Sequence, residues 1–310
     1  MTRLHVVAAV IRDDRGRVLL TRREAGRDFA GLWEFPGGKL EPGERAFQAL
    51  ARELREELGI DIAHAEPLIA VPFTYPGKRI LLDVHTVTGA QGEPQGRENQ
   101  ALAWVEPEAL QRYPMPPADR PVVAALREPA LCLVTPEPES LAEFRAGLAV
   151  AIERGVRRIQ LRVKRGDAAW RRALAEAALS LLRPVRGELL INGDAALAAE
   201  LGCGLHLNSA ALMAARRRPV LPRVSASCHD AVQLQQAERI GVDFVLLAPV
   251  AATATHPDAR PLGWPGFAEL RAQCSLPIYA LGGLGPADLA CARAHGAQGI
   301  AAIRGLWPRS

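Results

Sequence analysis

Short apolar, β-branched runs alternate with polar turn segments through the first 128 residues and predict a small sheet around one strong helix. Residues 4–11 and 17–22 are two such runs, separated by Asp13-Asp14-Arg15-Gly16, which reads as a hairpin turn. Runs at 67–73, 79–88 and 101–105 continue the sheet. Between them Phe47, Leu50, Leu54 and Leu58 recur at helical spacing as one apolar stripe. A second helix is expected over 118–127, ended by Glu128-Pro129. From Leu131 the rhythm changes. Apolar strands at 131–135, 158–162, 188–192, 204–207, 223–226, 243–248, 278–281 and 299–303 alternate with alanine-rich helical stretches, and eight such units predict a closed parallel barrel. At roughly 180 residues it is small for that architecture, so one or two truncated helices are expected. The organisation expected is two domains, 1–128 and 129–310, with no internal repeat or low-complexity linker.

Composition narrows the classes. The 310 residues have an ordinary balance of apolar and charged types, and no apolar run approaches a membrane span. The start of the chain lacks the pattern of a secretory signal, so a cytoplasmic protein is expected. The five cysteines form no C-x-x-C pair, and four sit in or beside apolar stretches, as buried reduced thiols do. The net charge of +4 is mild, with arginines clustered at 154–158, 162–165, 171–172 and 216–218. Solvated helix faces account for most of these. Aromatic residues are not interleaved with them, which argues against a nucleic-acid surface.

The candidate chemistry lies between Gly38 and Ile60. Gly38 is followed after five residues by Glu44, and after seven more by Arg52-Glu53-Leu54-Arg55-Glu56-Glu57-Leu58-Gly59-Ile60. Glu53, Glu56 and Glu57, at i, i+3 and i+4, project together beside the apolar stripe. Like charges so close raise one another's pKa unless a cation compensates them, and hard carboxylate oxygens suit Mg²⁺, with Mn²⁺ as the alternative. An isolated E-x-x-E-E reads instead as a solvated acidic face paired with Arg52 and Arg55. The glycine-rich loop before the helix decides for the metal site, because Gly37-Gly38 lets the backbone approach closely and Gly59 supplies a left-handed helix stop.

This spacing resembles the Nudix box at every defined position, and residues 1 to about 127 resemble the MutT type, through Gly31-Leu32-Trp33-Glu34-Phe35-Pro36-Gly37-Gly38-Lys39 and the segment Met115 to Pro121. The resemblance implies an α/β/α sandwich with a mixed sheet. It implies hydrolysis of nucleoside triphosphates to monophosphate and pyrophosphate by in-line attack of water, with 8-oxo-dGTP as the leading substrate and nucleotide-pool sanitation, hence avoidance of DNA damage, as the role. As metal-site residues it implies the Gly37 carbonyl, Glu53, Glu56, Glu57 and Glu98, with Arg52 fixing a box glutamate. Arg23, Asp28, Glu34, Phe35, Pro36, Gly37 and Asp119 are implied to bind substrate; for Phe35 the alternative is a place in the core. Asp119 stands where MutT has asparagine. An ionised Asp only accepts hydrogen bonds, so it would take the N7 proton of 8-oxoguanine and repel O6.

Farther along, Gln160-Leu161-Arg162-Val163-Lys164, Ile191-Asn192, Gly204-Leu205-His206-Leu207, Ser225 to His229, Ala248-Pro249-Val250, Thr253 to Pro257 and Leu281-Gly282-Gly283 follow in order. The series resembles thiamine phosphate synthase and its TenI relatives over 131 to about 307, implying a (β/α)8 TIM-type barrel with a phosphate-binding turn at Gly282 and Gly283 and a phosphate-bearing ligand. The catalytic parts depart from that family: Asn192-Gly193 replaces Asn-Asp, Asn208-Ser209 follows Leu207 where an acidic metal ligand is expected, His256 replaces a lysine and Arg304 a small residue. Three readings result: a nucleotide hydrolase with a barrel appended, a bifunctional enzyme of thiamine metabolism, and a ligand-sensing module without turnover. The full set of carboxylates favours the first.

Overall fold

The computed structural model describes residues 3–24, 26, 28–253 and 260–308. The chain divides into two compact units, one comprising Met1–Glu128 with Arg271–Ser275 and Arg293–Gly296, the other Pro129–Leu270, Leu276–Ala292 and Ala297–Ser310. Among the described residues no helix is long and apolar enough to cross a membrane. Four of the five cysteines are buried and Cys291 is exposed.

The first unit contains β1 (Leu4–Val10), β2 (Val18–Arg22), β3 (Trp33–Glu34), β4 (Gly37–Lys39), α1 (Ala46–Leu58), β5 (Asp61–Tyr75), β6 (Lys78–Gln91), β7 (Leu102–Val105) and α2 (Arg120–Arg127). The strands form two sheets, β4-β1-β6-β5 and β3-β2-β7, with β1 and β6 parallel and the other pairs antiparallel. Alternation along β1 explains the layering. Val7 and Ala9 join Ala49, Leu50, Leu54 and Leu58 of α1 in one core, whereas Ala8 and Val10 join Val122, Val123 and Ala125 of α2 in another. The sheet is thus covered on both faces. Phe47 does not extend the stripe of α1: it is 40% exposed, and the small Ala49 takes the buried position. The β5–β6 hairpin is much longer than the apolar runs suggest. Its outer half carries His64 and Glu66 and a register shift between Pro67 and Ile69, so apolar content ends well before the pairing does.

The second unit is a closed barrel of β8 (Leu131–Val134), β9 (Arg158–Leu161), β10 (Glu188–Asn192), β11 (Gly204–Leu207), β12 (Val224–Cys228), β13 (Phe244–Leu247), β14 (Ile278–Leu281) and β15 (Gly299–Ala302), all pairing parallel. Its helices are α3 (Leu141–Glu153), α4 (Ala168–Leu182), α5 (Ala195–Leu201), α6 (Ser209–Ala214), α7 (Ala231–Ile240), α8 (Gly263–Arg271) and α9 (Leu289–Ala294). Three helices, rather than the one or two expected, are short: α5, α6 and α9 have six or seven residues each. Inward-facing Cys132, Val134, Leu190, Phe244, Leu246, Tyr279 and Ala301 fill the interior.

Arg158 is not part of a solvated basic face. It is 1% exposed, pairs with Glu188, donates to the Tyr279 hydroxyl and lies 4.3 Å from the Phe244 ring centroid. Glu188 also accepts from Arg223 at 2.7 Å. Removing one partner of a buried pair leaves the other charge uncompensated, at a cost of about 3–5 kcal/mol. Glu188→Ala should therefore lower the barrel's thermal unfolding midpoint far more than Arg158→Met, which takes the buried charge away. Equal losses in far-UV circular dichroism melts would contradict this account.

Candidate active site

Helix α1 is closed by a Schellman-type stop: Gly59 has φ 71°, its N–H donates to Arg55, and Ile60 N–H returns to Leu54. At its start the Gln48 side chain accepts from Arg45 N–H at 2.9 Å. With Leu50, Leu54 and Leu58 buried, Glu53 and Glu57 must face the flank of the helix, where β4 runs antiparallel to β1. The two glycines of β4 have different reasons to be there. A Cβ on Gly37 would lie 2.2 Å from the Val7 carbonyl oxygen, on a backbone with φ +148°. A Cβ on Gly38 would lie 2.2 Å from the Glu53 carboxyl carbon. Gly38 therefore allows a carboxylate to rest against bare backbone.

Arg52 organises the outer side of this cluster. Its Nε and Nη2 donate to the two oxygens of Glu44 at 2.9 and 3.0 Å, a bidentate contact, while Nη1 reaches Glu53 at 3.0 Å and Glu56 at 3.3 Å, and Nη2 also meets the Lys39 carbonyl at 3.0 Å. These contacts hold Glu44 well below the usual carboxylate range, at about 2, through hydrogen bonds from Arg52 and from Glu41 N–H. Glu56 faces outward, its side chain 58% exposed.

Glu57 turns inward. Burial pushes its carboxyl up to about 8, and the charges of Glu53, Glu98 and Glu34 add to that, opposed by a backbone hydrogen bond from Gly37. Burial also raises Glu53, against the pull of Arg52. Glu98 comes beside Glu57 because its loop docks on the end of α1: Gln95 N–H donates to Leu58, Arg97 N–H and the Gln100 side-chain amide to Glu57, and Glu98 N–H to Gln100 Oε1. Glu53, Glu57 and Glu98 thus share one environment and Glu56 another. Among the described residues no three such groups close to metal-ligating geometry. The donor set nevertheless fits a hard divalent cation, since Glu57 is a buried carboxyl on which the strongest neighbouring charges are all negative.

Of the expected substrate residues, Arg23, Glu34 and Phe35 come together around a second buried acid, Asp119, whereas the Asp28 side chain does not. Arg23 pairs with Glu34, and its Nε donates to the Asp28 backbone carbonyl at 2.6 Å. The Asp28 carboxylate points away and lies 3.4 Å from Lys78 Nζ. Phe35 is 3% exposed and belongs to the core, as Pro36 is also buried; Phe35 contributes its N–H, bonded to Asp119. Asp119 is 6% exposed. Burial foremost and then Glu34 push its carboxyl up to about 8, with Arg23 opposing. Tyr75, whose hydroxyl accepts from Ala118 N–H at 3.3 Å, is raised to about 12 mainly by burial. Sequence reasoning missed Tyr75 and Gln100, which carry no motif, and used Glu44 only as a spacing mark.

In the barrel, the carboxyl ends of the strands surround a cavity of about 1390 Å³ that includes Gln160, Arg162, Asn192, Gly282, Gly283 and Arg304. Gly282 (φ +116°) and Gly283 (φ +69°) turn where a Cβ would lie 3.0 Å from Pro249 Cα and 2.9 Å from the Ala252 carbonyl. His206 is buried between the Ser225 and Ser227 hydroxyls, 2.8 Å from each, and burial, then Arg162, push it down to about 3. Of the segment Thr253 to Pro257, residues 254–257 lie outside the described residues.

Residues 7–125 match the family described as NUDIX domain, and residues 131–306 that described as thiamine monophosphate synthase. The CTP pyrophosphohydrolase of Escherichia coli (strain K12) is 46% identical over 125 residues, 40% of this chain and 92% of that protein. The 8-oxo-dGTP diphosphatase of Haemophilus influenzae is 44% identical over 123 residues, 40% of this chain and 90% of that protein. The putative thiamine-phosphate synthase 2 of Aquifex aeolicus is 32% identical over 179 residues, 56% of this chain and 96% of that protein. The chain belongs to the Nudix family, of MutT type, through its first unit and to the thiamine monophosphate synthase/TenI family through its second. Its Nudix domain is homologous to 8-oxo-dGTP diphosphatases, hydrolases that act on pyrophosphate bonds.

The two glycine contacts separate fold from site. Gly37→Ala sets a methyl group against backbone and should depress the unfolding midpoint of the first unit. Gly38→Ala meets only the far end of Glu53, so it should leave the melt nearly unchanged and lower hydrolysis about a hundredfold by displacing that carboxylate. The reverse pattern would refute this assignment.

Proposed function

We propose that the protein is a Mg²⁺-dependent nucleoside triphosphate pyrophosphohydrolase that converts 8-oxo-dGTP to 8-oxo-dGMP and pyrophosphate. One observation carries the reading: Glu57, buried and hydrogen-bonded to the backbone of Gly37, has Glu53, which rests against Gly38, and Glu98 as like-charged neighbours. Glu53, Glu57 and Glu98, with the Gly37 carbonyl, would hold Mg²⁺ (or Mn²⁺), which supplies charge neutralisation at the phosphates and acidifies water. Glu56, at the exposed edge, is the candidate to accept a proton from the attacking water. Arg52 is a positioning residue, fixing Glu44 and Glu53 relative to the Lys39 carbonyl.

Substrate choice rests on Asp119. A carboxyl raised to about 8 is mostly protonated at neutral pH, and in that form it donates through O–H and accepts through C=O, as asparagine does. That pattern matches the O6 and N7–H edge of 8-oxoguanine, and it removes the repulsion of O6 expected of an ionised Asp. Arg23 and Glu34 would complete the wall of the base pocket, with Asp28 contributing only its backbone carbonyl to Arg23. The same neutral acid also matches N3 and N4–H of cytosine, and the 46% identity to a CTP pyrophosphohydrolase favours CTP as the second reading. The barrel, in this reading, is a site for a phosphate-bearing ligand at Gly282 and Gly283.

Steady-state kcat/KM with Mg²⁺ over 8-oxo-dGTP, dGTP, CTP, dATP and thiamine pyrophosphate tests these readings. The leading one expects 8-oxo-dGTP first, with losses of about a hundredfold or more in Glu53→Gln and Glu57→Gln. CTP first supports the second reading, whereas thiamine pyrophosphate first, or no turnover at all, overturns both. As pH rises through about 8, Asp119 loses its proton and its donor, so KM should climb; in Asp119→Asn, KM should stay flat from neutral to alkaline pH. An identical KM profile in the two proteins would sink the neutral-acid account.

A further inference from the structure

The amino ends of β9, β10, β11 and β12 lie side by side at one end of the barrel, because these strands are parallel neighbours in that order. The segments that lead into three of them are rich in arginine: 154–157 before β9, 183–187 before β10 and 216–223 before β12. In the sequence these arginines look like solvated helix faces, but the fold sets them on connections that meet. Glu188 N–H donates to the Arg157 carbonyl at 2.7 Å, and the Glu188 carboxylate takes both Arg158 and Arg223. Asp243, just before β13, accepts from Arg218 and from Val224 N–H, each at 2.6 Å.

Those contacts spend Glu188 and Asp243 on the inner arginines. Arg154, Arg183, Arg186, Arg216 and Arg217 stay outside: each is exposed, and among the described residues none of their guanidiniums has a hydrogen-bond or ion-pair partner. The exposed acid next to them in the chain is Glu153. Arg186 holds φ 52°, a left-handed conformation that glycine adopts at lower cost, with its N–H on the Arg183 carbonyl at 3.1 Å.

An arc of like charges without partners fits a polyanion, and its composition narrows the kind. The planar guanidinium of arginine matches phosphate oxygens bidentately. Among large apolar side chains, these segments expose Val220, at 96%. A membrane surface calls for a broader apolar face to insert beside the charges, and an acidic protein for an apolar centre to the interface; one valine supplies neither. Stacking of single-stranded bases calls for aromatic rings, which the three segments lack. A duplex backbone is held by charge alone.

We propose that this end of the barrel binds the phosphate backbone of a nucleic-acid duplex, without reading its sequence, through Arg154, Arg183, Arg186, Arg216 and Arg217. The surface uses none of the residues assigned to hydrolysis, so it stands or falls apart from that reading.

Fluorescence anisotropy of a labelled DNA duplex, titrated with the full chain over a series of KCl concentrations, tests the proposal, with an RNA duplex of the same sequence as a second probe. Binding is expected in the micromolar range at about 50 mM KCl, with a log–log salt slope of about −4, near −0.9 for each phosphate met. The tighter of the two duplexes identifies the nucleic acid the surface serves. Arg186→Ala combined with Arg216→Ala and Arg217→Ala should weaken binding at least about tenfold and flatten the slope by about one per arginine. Arg171→Ala with Arg172→Ala removes arginines already paired with Asp194, Glu176 and Glu200, and should leave binding unchanged. Circular dichroism melts check that each variant is folded. No anisotropy change at the lowest salt, or binding indifferent to the three alanines, overturns the proposal. So does an equal loss in the Arg171 and Arg172 variant, which would make net charge the cause. Tighter binding of single strands, phosphatidylserine vesicles or polyglutamate than of either duplex at the same salt would also refute it.

Discussion

Burial of one helical stripe sets the rest of the first unit. Once Ala49, Leu50, Leu54 and Leu58 are fixed against Val7, Ala9 and Leu19, the register of α1 leaves Glu53 and Glu57 no direction but the groove beside β4. Apolar burial of this size, about 1.5–3 kcal/mol for each large side chain, is enough to hold carboxylates close together that would otherwise spread apart. Arg52 limits the strain by drawing off Glu44, Glu53 and Glu56, and the docked loop at Gln95–Gln100 seals the inner side. The Glu57 carboxyl is what remains, a buried acid among like charges at a point where the backbone is bare glycine.

The two buried acids of the first unit share a cause and differ in use. Glu57 and Asp119 are both raised to about 8, in each case by burial before anything else, and Glu34 acts on both. The charges acting on Glu57 are those of carboxylates, Glu53, Glu98 and Glu34. Asp119 has the Phe35 N–H and the Arg23–Glu34 pair around it, which suits a group that reads hydrogen-bond patterns on a base. The barrel shows a different arrangement, in which Arg162 and Arg304 line a wide cavity together with Gln160 and Asn192, whose amide oxygens have no hydrogen-bond partner among the described residues.

What could be read from the sequence was local. The acidic turn of α1, the Gly59 stop and the eight barrel strands follow from spacing within a few residues, and each stands in the structure where its pattern put it. Features that depend on distant neighbours were not legible. Phe47 has helical spacing but stays 40% exposed, outside the core that Ala49, Leu50, Leu54 and Leu58 share; Glu56 has the spacing of a cluster member yet meets Arg52 at the exposed edge. The β5–β6 hairpin extends through polar residues because main-chain pairing needs no apolar side chain. Arg158 looks like one more surface arginine until Glu188, Tyr279 and Phe244, far apart along the chain, enclose it. The raised pKa of Asp119 is equally invisible, since burial and the charge of Glu34 cause it, and neither is a property of the local sequence.

The most direct test is whether the acids of α1 hold a divalent cation. Titration of the full chain with Mn²⁺, followed by electron paramagnetic resonance of the free ion, should show binding that is sharply weakened in Glu57→Gln and Glu98→Gln and unchanged in Arg304→Ser. Wild-type protein that leaves all the Mn²⁺ free, or a Glu57→Gln protein that binds it as well as wild type, would contradict the account.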